Sequence, residues 1–287
     1  MNEGRVSLPD GRNLAWAELG DPRGRPVLYC HGFPGSRLEP RLADELAGRL
    51  EVRLIGVDRP GIGNSSPAPG RRLRDWPADL AAVADALALD RFAVLGVSAG
   101  GPYAAVCGWA MPERVQRVAV VCGLGPPESA GQGARMHWYA RLGLRAAAGS
   151  VPGARLLFGA FALAVRSVGE RGYGYWVRRY SAPDRATLSR PEVRSALLAA
   201  FHEGARNGGG PLTEDLALLA RPWDFPLDGV QAPVDLWHGE ADRIVPPQMG
   251  RYVASRLKVC RARFLAGEGH FSLPIAHMDV ILSALVR

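Results

Sequence analysis

Gly96-Val97-Ser98-Ala99-Gly100-Gly101 is the stretch whose reading decides the fold. Directly before it, Phe92–Val97 is a short apolar run of the kind that forms a buried strand. Directly after it, Ala99–Ala110 is Ala-rich and helical in character. A serine on so short a link between strand and helix is held in a strained turn. Its neighbours two places away on either side must be small, because strand and helix pass close by, and Gly96 and Gly100 meet that demand. The turn lifts the hydroxyl above the sheet and points the helix N-terminus at it, so the Ala99 amide can stabilise an oxyanion. Pro102 sits in the first helical turn, where a missing N–H costs little. Ser98 is therefore a candidate nucleophile.

Outward from this point, apolar runs alternate with helical patterns. Val27–Cys30, Val52–Val57, Val115–Cys122, Val234–Trp237 and Arg263–Leu265 read as further strands. Leu38–Leu50, Trp76–Leu89, Pro247–Leu257 and Pro274–Val286 read as helices. Such alternation implies a mostly parallel sheet with helices on both faces. Arg5–Leu8 and Asn13–Leu19, around Pro9-Asp10-Gly11, read as an edge hairpin. The alternation lapses between Pro126 and Phe225, a helical and aromatic segment with Gly/Pro breaks, in which Gly204–Pro211 is expected to be the most mobile loop. Of its aromatics, most of Trp138, Phe158, Phe161, Tyr175 and Trp176 are expected to pack a small core of the segment's own.

A free serine is a poor nucleophile; it needs a base, and the base needs an orienting acid. Gly267-Glu268-Gly269-His270-Phe271-Ser272 follows the last strand and supplies His270 as base. His238-Gly239-Glu240-Ala241-Asp242 ends the preceding strand and supplies Asp242 as acid, with Glu240 as a weaker rival. No carboxylate closely follows Val115–Cys122, which removes the other position for the acid. Glu268 reads as a solvated loop residue. His31-Gly32-Phe33-Pro34-Gly35 follows another strand, and its glycines allow close backbone approach, leaving the Phe33 N–H as a second oxyanion donor. His31 itself reads better as a structural imidazole bonding that loop, although with Gly32, Trp138, Trp176 and Phe271 it also falls among the candidate substrate contacts.

Composition narrows the field. The 287 residues, 47% hydrophobic and 22% charged, make a full core and rule out disorder. At about 100–200 residues per domain they amount to one large domain or one and a half. The longest apolar run, Leu156–Val165, is far short of the roughly 20 residues of a spanning helix, and the first residues carry no signal-peptide pattern. A formal charge of +7 would suggest nucleic acid, but the cations are scattered arginines with Lys258 the sole lysine, so no phosphate-binding face is expected. Cys30, Cys107, Cys122 and Cys260 form no CxxC pair, which fits a reducing cytoplasm and offers no zinc site. Gly61-Ile62-Gly63-Asn64-Ser65-Ser66 imitates a dinucleotide fingerprint, yet Ser66 replaces the third glycine and Pro67-Ala68-Pro69 follows where a helix should begin. It reads as a loop on the pocket floor, with Asp58 bonding nearby amides. No cofactor is expected.

Taken in order, His31-Gly32-Phe33-Pro34, Asp58-Arg59-Pro60-Gly61-Ile62-Gly63, Gly96-Val97-Ser98-Ala99-Gly100-Gly101, His238-Gly239-Glu240-Ala241-Asp242 and Gly269-His270-Phe271 resemble the α/β-hydrolase superfamily, essentially over the whole chain. The resemblance implies an α/β fold with an eight-stranded, mostly parallel sheet whose second strand is antiparallel. It also implies that residues 126–225 form a helical cap inserted after the sixth strand and roofing the active site, with residues 1–125 and 226–287 as the core. Ser98 stands where epoxide hydrolases and haloalkane dehalogenases of this fold carry Asp, and Lys258 is placed wrongly for a hydroxynitrile lyase, so neither reading holds.

The expectation is a serine hydrolase that cleaves a carboxylic ester or similar acyl compound, a small molecule with an apolar or aromatic group. An acyltransferase or cofactor-free perhydrolase would keep the triad and change the acceptor. A small-molecule receptor on a hydrolase scaffold is the reading from another class, and peptidase or carbon–carbon bond hydrolysis completes the set. Physiological substrate and oligomeric state are not encoded in any motif.

Overall fold

The computed structural model of the chain describes residues 1–132, 136–149 and 153–287. Its centre is an eight-stranded sheet: β1 (Asn2–Ser7), β2 (Asn13–Gly20), β3 (Arg25–Cys30), β4 (Val52–Val57), β5 (Phe92–Val97), β6 (Val115–Val121), β7 (Val234–Gly239) and β8 (Cys260–Leu265), in the spatial order β1-β2-β4-β3-β5-β6-β7-β8. β2 runs antiparallel to both its neighbours, and all pairings from β4 to β8 are parallel. The helices are α1 (Asp44–Arg49), α2 (Trp76–Ala86), α3 (Gly100–Ala110), α4 (Trp138–Ala147), α5 (Ala154–Ser167), α6 (Glu170–Val177), α7 (Ala182–Leu188), α8 (Pro191–Gly204), α9 (Gly209–Leu219), α10 (Pro247–Arg256), α11 (Ser272–Ala276) and α12 (Met278–Leu285).

The central strands are apolar at nearly every position because both faces are covered. Leu28, Ile55, Val57, Phe92 and Val94 point to one face, against Trp76, Leu80 and Val83 of α2 and Tyr103 of α3. Their neighbours in the two-residue alternation, Val27, Tyr29, Leu54, Ala93 and Leu95, point to the other, against Ala47 of α1 and Ile281 and Leu282 of α12. Burying each such side chain fully is worth about 1.5–3 kcal/mol, so these two layers fix the sheet and with it the strand ends that carry the chemistry.

Several elements differ from the sequence expectation. The helix expected over Leu38–Leu50 is a short 3₁₀ segment, Glu39–Ala43, that gives way to α1 at Asp44. The Asp44 carboxylate accepts the Gly20 N–H at 2.8 Å and so faces the sheet edge. The helix expected over Pro274–Val286 is α11 and α12, separated at His277, whose imidazole bonds the Glu268 carboxylate at 2.9 Å. Glu268 is therefore a half-buried partner and not a solvated loop residue. β8 begins three residues earlier than expected because Arg261 and Arg263 mask its apolar pattern on an edge strand.

Between β6 and β7 the chain forms α4 to α9, with no strand among the described residues. Gly204–Pro211, expected to be the most mobile loop, is largely helical at both ends, and only residues 205–208 link α8 to α9. Gly204 ends α8, and a Cβ there would lie 1.8 Å from the Pro34 carbonyl oxygen. Gly209 opens α9, and its Cβ would lie 2.4 Å from the Phe158 backbone of α5. These glycines serve close packing. Among the described residues no helix is long and apolar enough to cross a membrane.

Candidate active site

Ser98 follows β5 with φ of +55°, the positive value of a strand-to-helix elbow. Its N–H donates to Val121 O at 2.9 Å, and its carbonyl accepts from Gly101 N at 3.1 Å and Leu124 N at 3.0 Å, so the turn is pinned on both sides. The need for small neighbours is visible in distances. A Cβ on Gly96 would lie 2.3 Å from Gly100 O, and one on Gly100 would lie 1.9 Å from Cys30 O.

His270 lies on the loop between β8 and α11, and its Nε2 is 2.9 Å from Ser98 Oγ. Its Nδ1 is 2.7 Å from Asp242 Oδ2 on the loop after β7. Asp242 Oδ1 accepts the N–H groups of Ile244 at 2.8 Å and Val245 at 2.9 Å, which fixes the carboxylate. Burial works against ionising Asp242, but the facing His270 and His238 imidazoles prevail and hold its pKa below the usual carboxylate range. An ionised Asp242 can only accept, so the neutral imidazole carries its proton on Nδ1 and leaves Nε2 free to accept from Ser98. Burial likewise opposes charging His270, while the Asp242 carboxylate favours it; the net direction is upward from the ordinary histidine pKa.

Neither Phe33 N nor Ala99 N donates a hydrogen bond to any described residue, and both lie beside Ser98. The Phe33 ring stacks on Phe161 at 5.9 Å and meets Phe158 edge-on. A cavity of about 220 Å³ reaches Ser98 and His270 and is walled by Gly32, Phe33, Phe201 and Phe271 among others. A larger one, about 860 Å³, opens beyond Asp242 and touches neither Ser98 nor His270. The smaller cavity is thus the one positioned for chemistry.

Three of the candidate substrate contacts lie elsewhere. His31 is fully buried: its Nδ1–H donates to Gly32 O at 2.8 Å, and its Nε2 accepts from Arg59 N at 3.3 Å. Burial and the Arg59 guanidinium push its pKa well down, so it is a neutral brace for the loop. Trp138 is 68% exposed on the rim of the larger cavity. Trp176 stands one layer behind the wall, edge-on to Phe271 at 5.7 Å and Phe201 at 6.0 Å. Most of the five aromatics between β6 and β7 were expected to pack a core of the segment's own, but only Phe158 is fully buried, while Trp138, Phe161 and Tyr175 are exposed.

The helices between β6 and β7 contribute buried carboxylates that sequence reasoning missed. Asp184 of α7 accepts three successive backbone N–H groups, those of His270 at 3.1 Å, Phe271 at 2.8 Å and Ser272 at 2.9 Å. Asp215 of α9 pairs with Arg59 at 2.7 Å and Arg71 at 2.7 Å and accepts from Tyr103 Oη at 2.8 Å. Arg59 in turn donates to His31 O and to Gly32 O. Both loops that flank Ser98 are therefore bonded through buried charge to this helical segment. Asp215 left a trace in the sequence, since it lies on the same helical stripe as Leu212 and Leu219. Asp184 left only a misleading one: Ser181-Ala182-Pro183-Asp184 looks like an ordinary helix start.

The Gly61–Ser66 loop is filled by protein. The Asp58 carboxylate accepts from Arg37 N at 2.6 Å and Asn64 N at 3.0 Å, and Asn207 donates to Gly61 O and Gly63 O. Cys122 Sγ, Asp242 and His270 bring their ligand atoms within 4.8 Å of one another. Burial raises the Cys122 thiol well above its ordinary pKa, however, and its S–H points to Gly269 O at 3.7 Å. The group reads as a core thiol behind a hydrogen-bonded pair.

Residues 25–275 match the family described as alpha/beta hydrolase fold, and the chain belongs to that family. The proline iminopeptidase of Neisseria gonorrhoeae is 28% identical over 119 residues, 40% of this chain and 38% of that protein. The non-heme chloroperoxidase of Streptomyces lividans is 32% identical over 131 residues, 43% of this chain and 45% of that protein. The chain thus spans less than half the length of these curated relatives. Among solved structures, the esterase RhEst1 from Rhodococcus sp. ECU1013 superposes with a TM-score of 0.70 at 21% identity, covering 99% of this chain and 100% of that one. That likeness is one of fold.

Proposed function

We propose that the protein is a serine hydrolase acting on a carboxylic ester or similar acyl compound. The observation that carries this reading is the unbroken chain from Ser98 Oγ through the His270 imidazole to Asp242, with links of 2.9 and 2.7 Å. Ser98 Oγ attacks the acyl carbon while His270 Nε2 takes its proton, and the imidazolium that forms is stabilised by Asp242. The oxyanion is held by the N–H groups of Phe33 and Ala99; one such donor contributes roughly 3–4 kcal/mol to lowering the barrier. The leaving alcohol departs with the proton from Nε2. Water then repeats the sequence on the acyl-enzyme and releases the acid.

Residues 126–225 act in this reading as the cap. Their contribution to the cavity includes Phe201, and the small volume, about 220 Å³, favours a short acyl group. The test is a series of 4-nitrophenyl esters of graded acyl length, assayed with the wild type and Ser98→Ala. Turnover should be greatest for short chains and fall by roughly 10³-fold or more in the variant. Undiminished hydrolysis by Ser98→Ala would overturn the assignment. Product analysis with competing alcohol or peroxide in the same assay separates hydrolysis from acyl transfer and perhydrolysis.

A further inference from the structure

The wall of the Ser98 cavity is mostly apolar, with Leu42, Leu46, Ile275 and Met278 among its residues. Glu39 interrupts it. Its carboxylate accepts the Gly32 N–H at 2.9 Å and the Tyr29 hydroxyl at 2.8 Å, and it still lines the cavity. It also stands close to the nucleophile. A Cβ placed on Gly32 would lie 3.4 Å from Glu39 Oε2 and 3.4 Å from Ser98 Cβ, so one small space separates the two side chains. The other charged groups on the wall, Arg190 and Glu192, are exposed and satisfy each other at 2.8 Å.

A peptide N–H can only donate, so the Gly32 contact favours the ionised form of Glu39. Burial pulls the other way and raises its pKa, with the Tyr29 and Gly32 donors opposing that rise. An ionised carboxylate offers acceptors only, and two oxygens provide about four acceptor positions. The two protein donors leave capacity on the cavity side. In a confined apolar space that capacity rewards a donor, most of all a cationic one, and penalises a second carboxylate.

Resting on the reading of Ser98 as an acyl-transferring nucleophile, we propose that Glu39 sets substrate class: the enzyme prefers short acyl groups carrying a protonated amine near the scissile carbonyl. Glu39 is here a specificity-determining residue that contacts substrate and takes no part in the bond-making steps.

The test compares isosteric pairs in which a methyl replaces the ammonium: 4-nitrophenyl alaninate against 2-methylpropanoate, and β-alaninate against butanoate. For at least one pair, the ratio of kcat/KM values, amine over methyl, should fall tenfold or more in Glu39→Gln. Comparing the same pair in the two proteins cancels the intrinsic reactivity of the esters. A second variant, Gly35→Ala, should lower the ratio too, because its new Cβ would lie 2.0 Å from Glu39 Oε2 and displace the carboxylate. Unchanged ratios in both variants overturn the proposal. So does an equal loss on both members of each pair, which would make Glu39 a brace for the Gly32 loop. If Glu39→Gln does not fold, inhibition of the wild type decides: butylammonium should compete at lower concentration than butanol, and butanoate least of all. The reverse order overturns the proposal. Failure of the underlying reading looks different, since none of the esters would then be turned over through Ser98 and a fluorophosphonate would not label it.

Discussion

Asp184→Asn replaces one oxygen of a carboxylate that three backbone amides share. The remaining amide oxygen can still accept from Phe271 and Ser272, which lie 2.8 and 2.9 Å from Asp184 Oδ1, but without a full charge. The new NH₂ faces the His270 N–H, which at present donates to Oδ2 at 3.1 Å, so donor meets donor. A hydrogen bond to a charged group is worth about 1.5–3 kcal/mol, and a neutral one about half as much. Breaking one of these bonds and weakening the other two gives a destabilisation on the order of 3 kcal/mol. At roughly 2–4 °C per kcal/mol for a chain approaching this size, the thermal midpoint should fall by about 6–12 °C.

The same substitution acts on the proposed base in two separable ways. Freed from its tie, the 270–272 loop can shift, and a misplacement of about 1 Å can cost as much as 10²-fold in rate, so the plateau of kcat/KM should drop. Asp184 is also among the negative charges that raise the His270 pKa. As the proposed base His270 must be neutral to act, so activity should be lost as pH falls through its pKa; removing a charge that raises this pKa should move the acid limb to lower pH. The assay is the full pH profile of kcat/KM on a 4-nitrophenyl ester, measured well below the variant's melting temperature. An acid limb that stays in place, or moves upward, would refute this account of Asp184.

Other consequences rest on the same hydrogen bonds and ion pairs. In the wild type the acid limb of kcat/KM should lie above the ordinary histidine pKa, because the Asp242 carboxylate outweighs the burial of His270; a limb below that of a free imidazole, about pH 6.5, would contradict that balance. Asp242→Asn should cost on the order of 10⁴ in kcat by releasing the wrong tautomer of His270, and a loss below tenfold would point to another acid. Arg59→Met should destabilise the fold by about 3–5 kcal/mol in denaturant titration, since it leaves the buried Asp215 carboxylate with only part of its compensation. Adding Asp215→Leu should recover some of that loss, and no recovery would show that Arg59 matters mainly through the His31 and Gly32 carbonyls.

The strand ends were legible because their demands are local. An elbow needs glycine two places from Ser98, and the loop of Asp242 follows the fully buried β7, while that of His270 follows β8, an edge strand of which only the last three residues were legible. What stayed hidden depends on distant parts of the chain. Nothing near Asp184 indicates that its oxygens will meet amides 86 to 88 positions later. The placement of Trp138 and Trp176 depends on how the helices between β6 and β7 pack, and aromatic composition carries no such information. Gly204 and Gly209 were read for chain freedom when their use is close approach to Pro34 and Phe158. Glu39 fell inside the helix expected over Leu38–Leu50, where nothing in the sequence singles it out, whereas the 3₁₀ turn there directs it toward Gly32.

Covalent capture of the proposed nucleophile tests the core of the mechanism most directly. The wild-type protein, treated with a fluorophosphonate and weighed intact, should gain the mass of a single adduct, and digestion should place it on Ser98. Ser98→Ala should gain none, and His270→Ala should react far more slowly. An adduct on another residue, or equal labelling of Ser98→Ala, would contradict a mechanism built on Ser98.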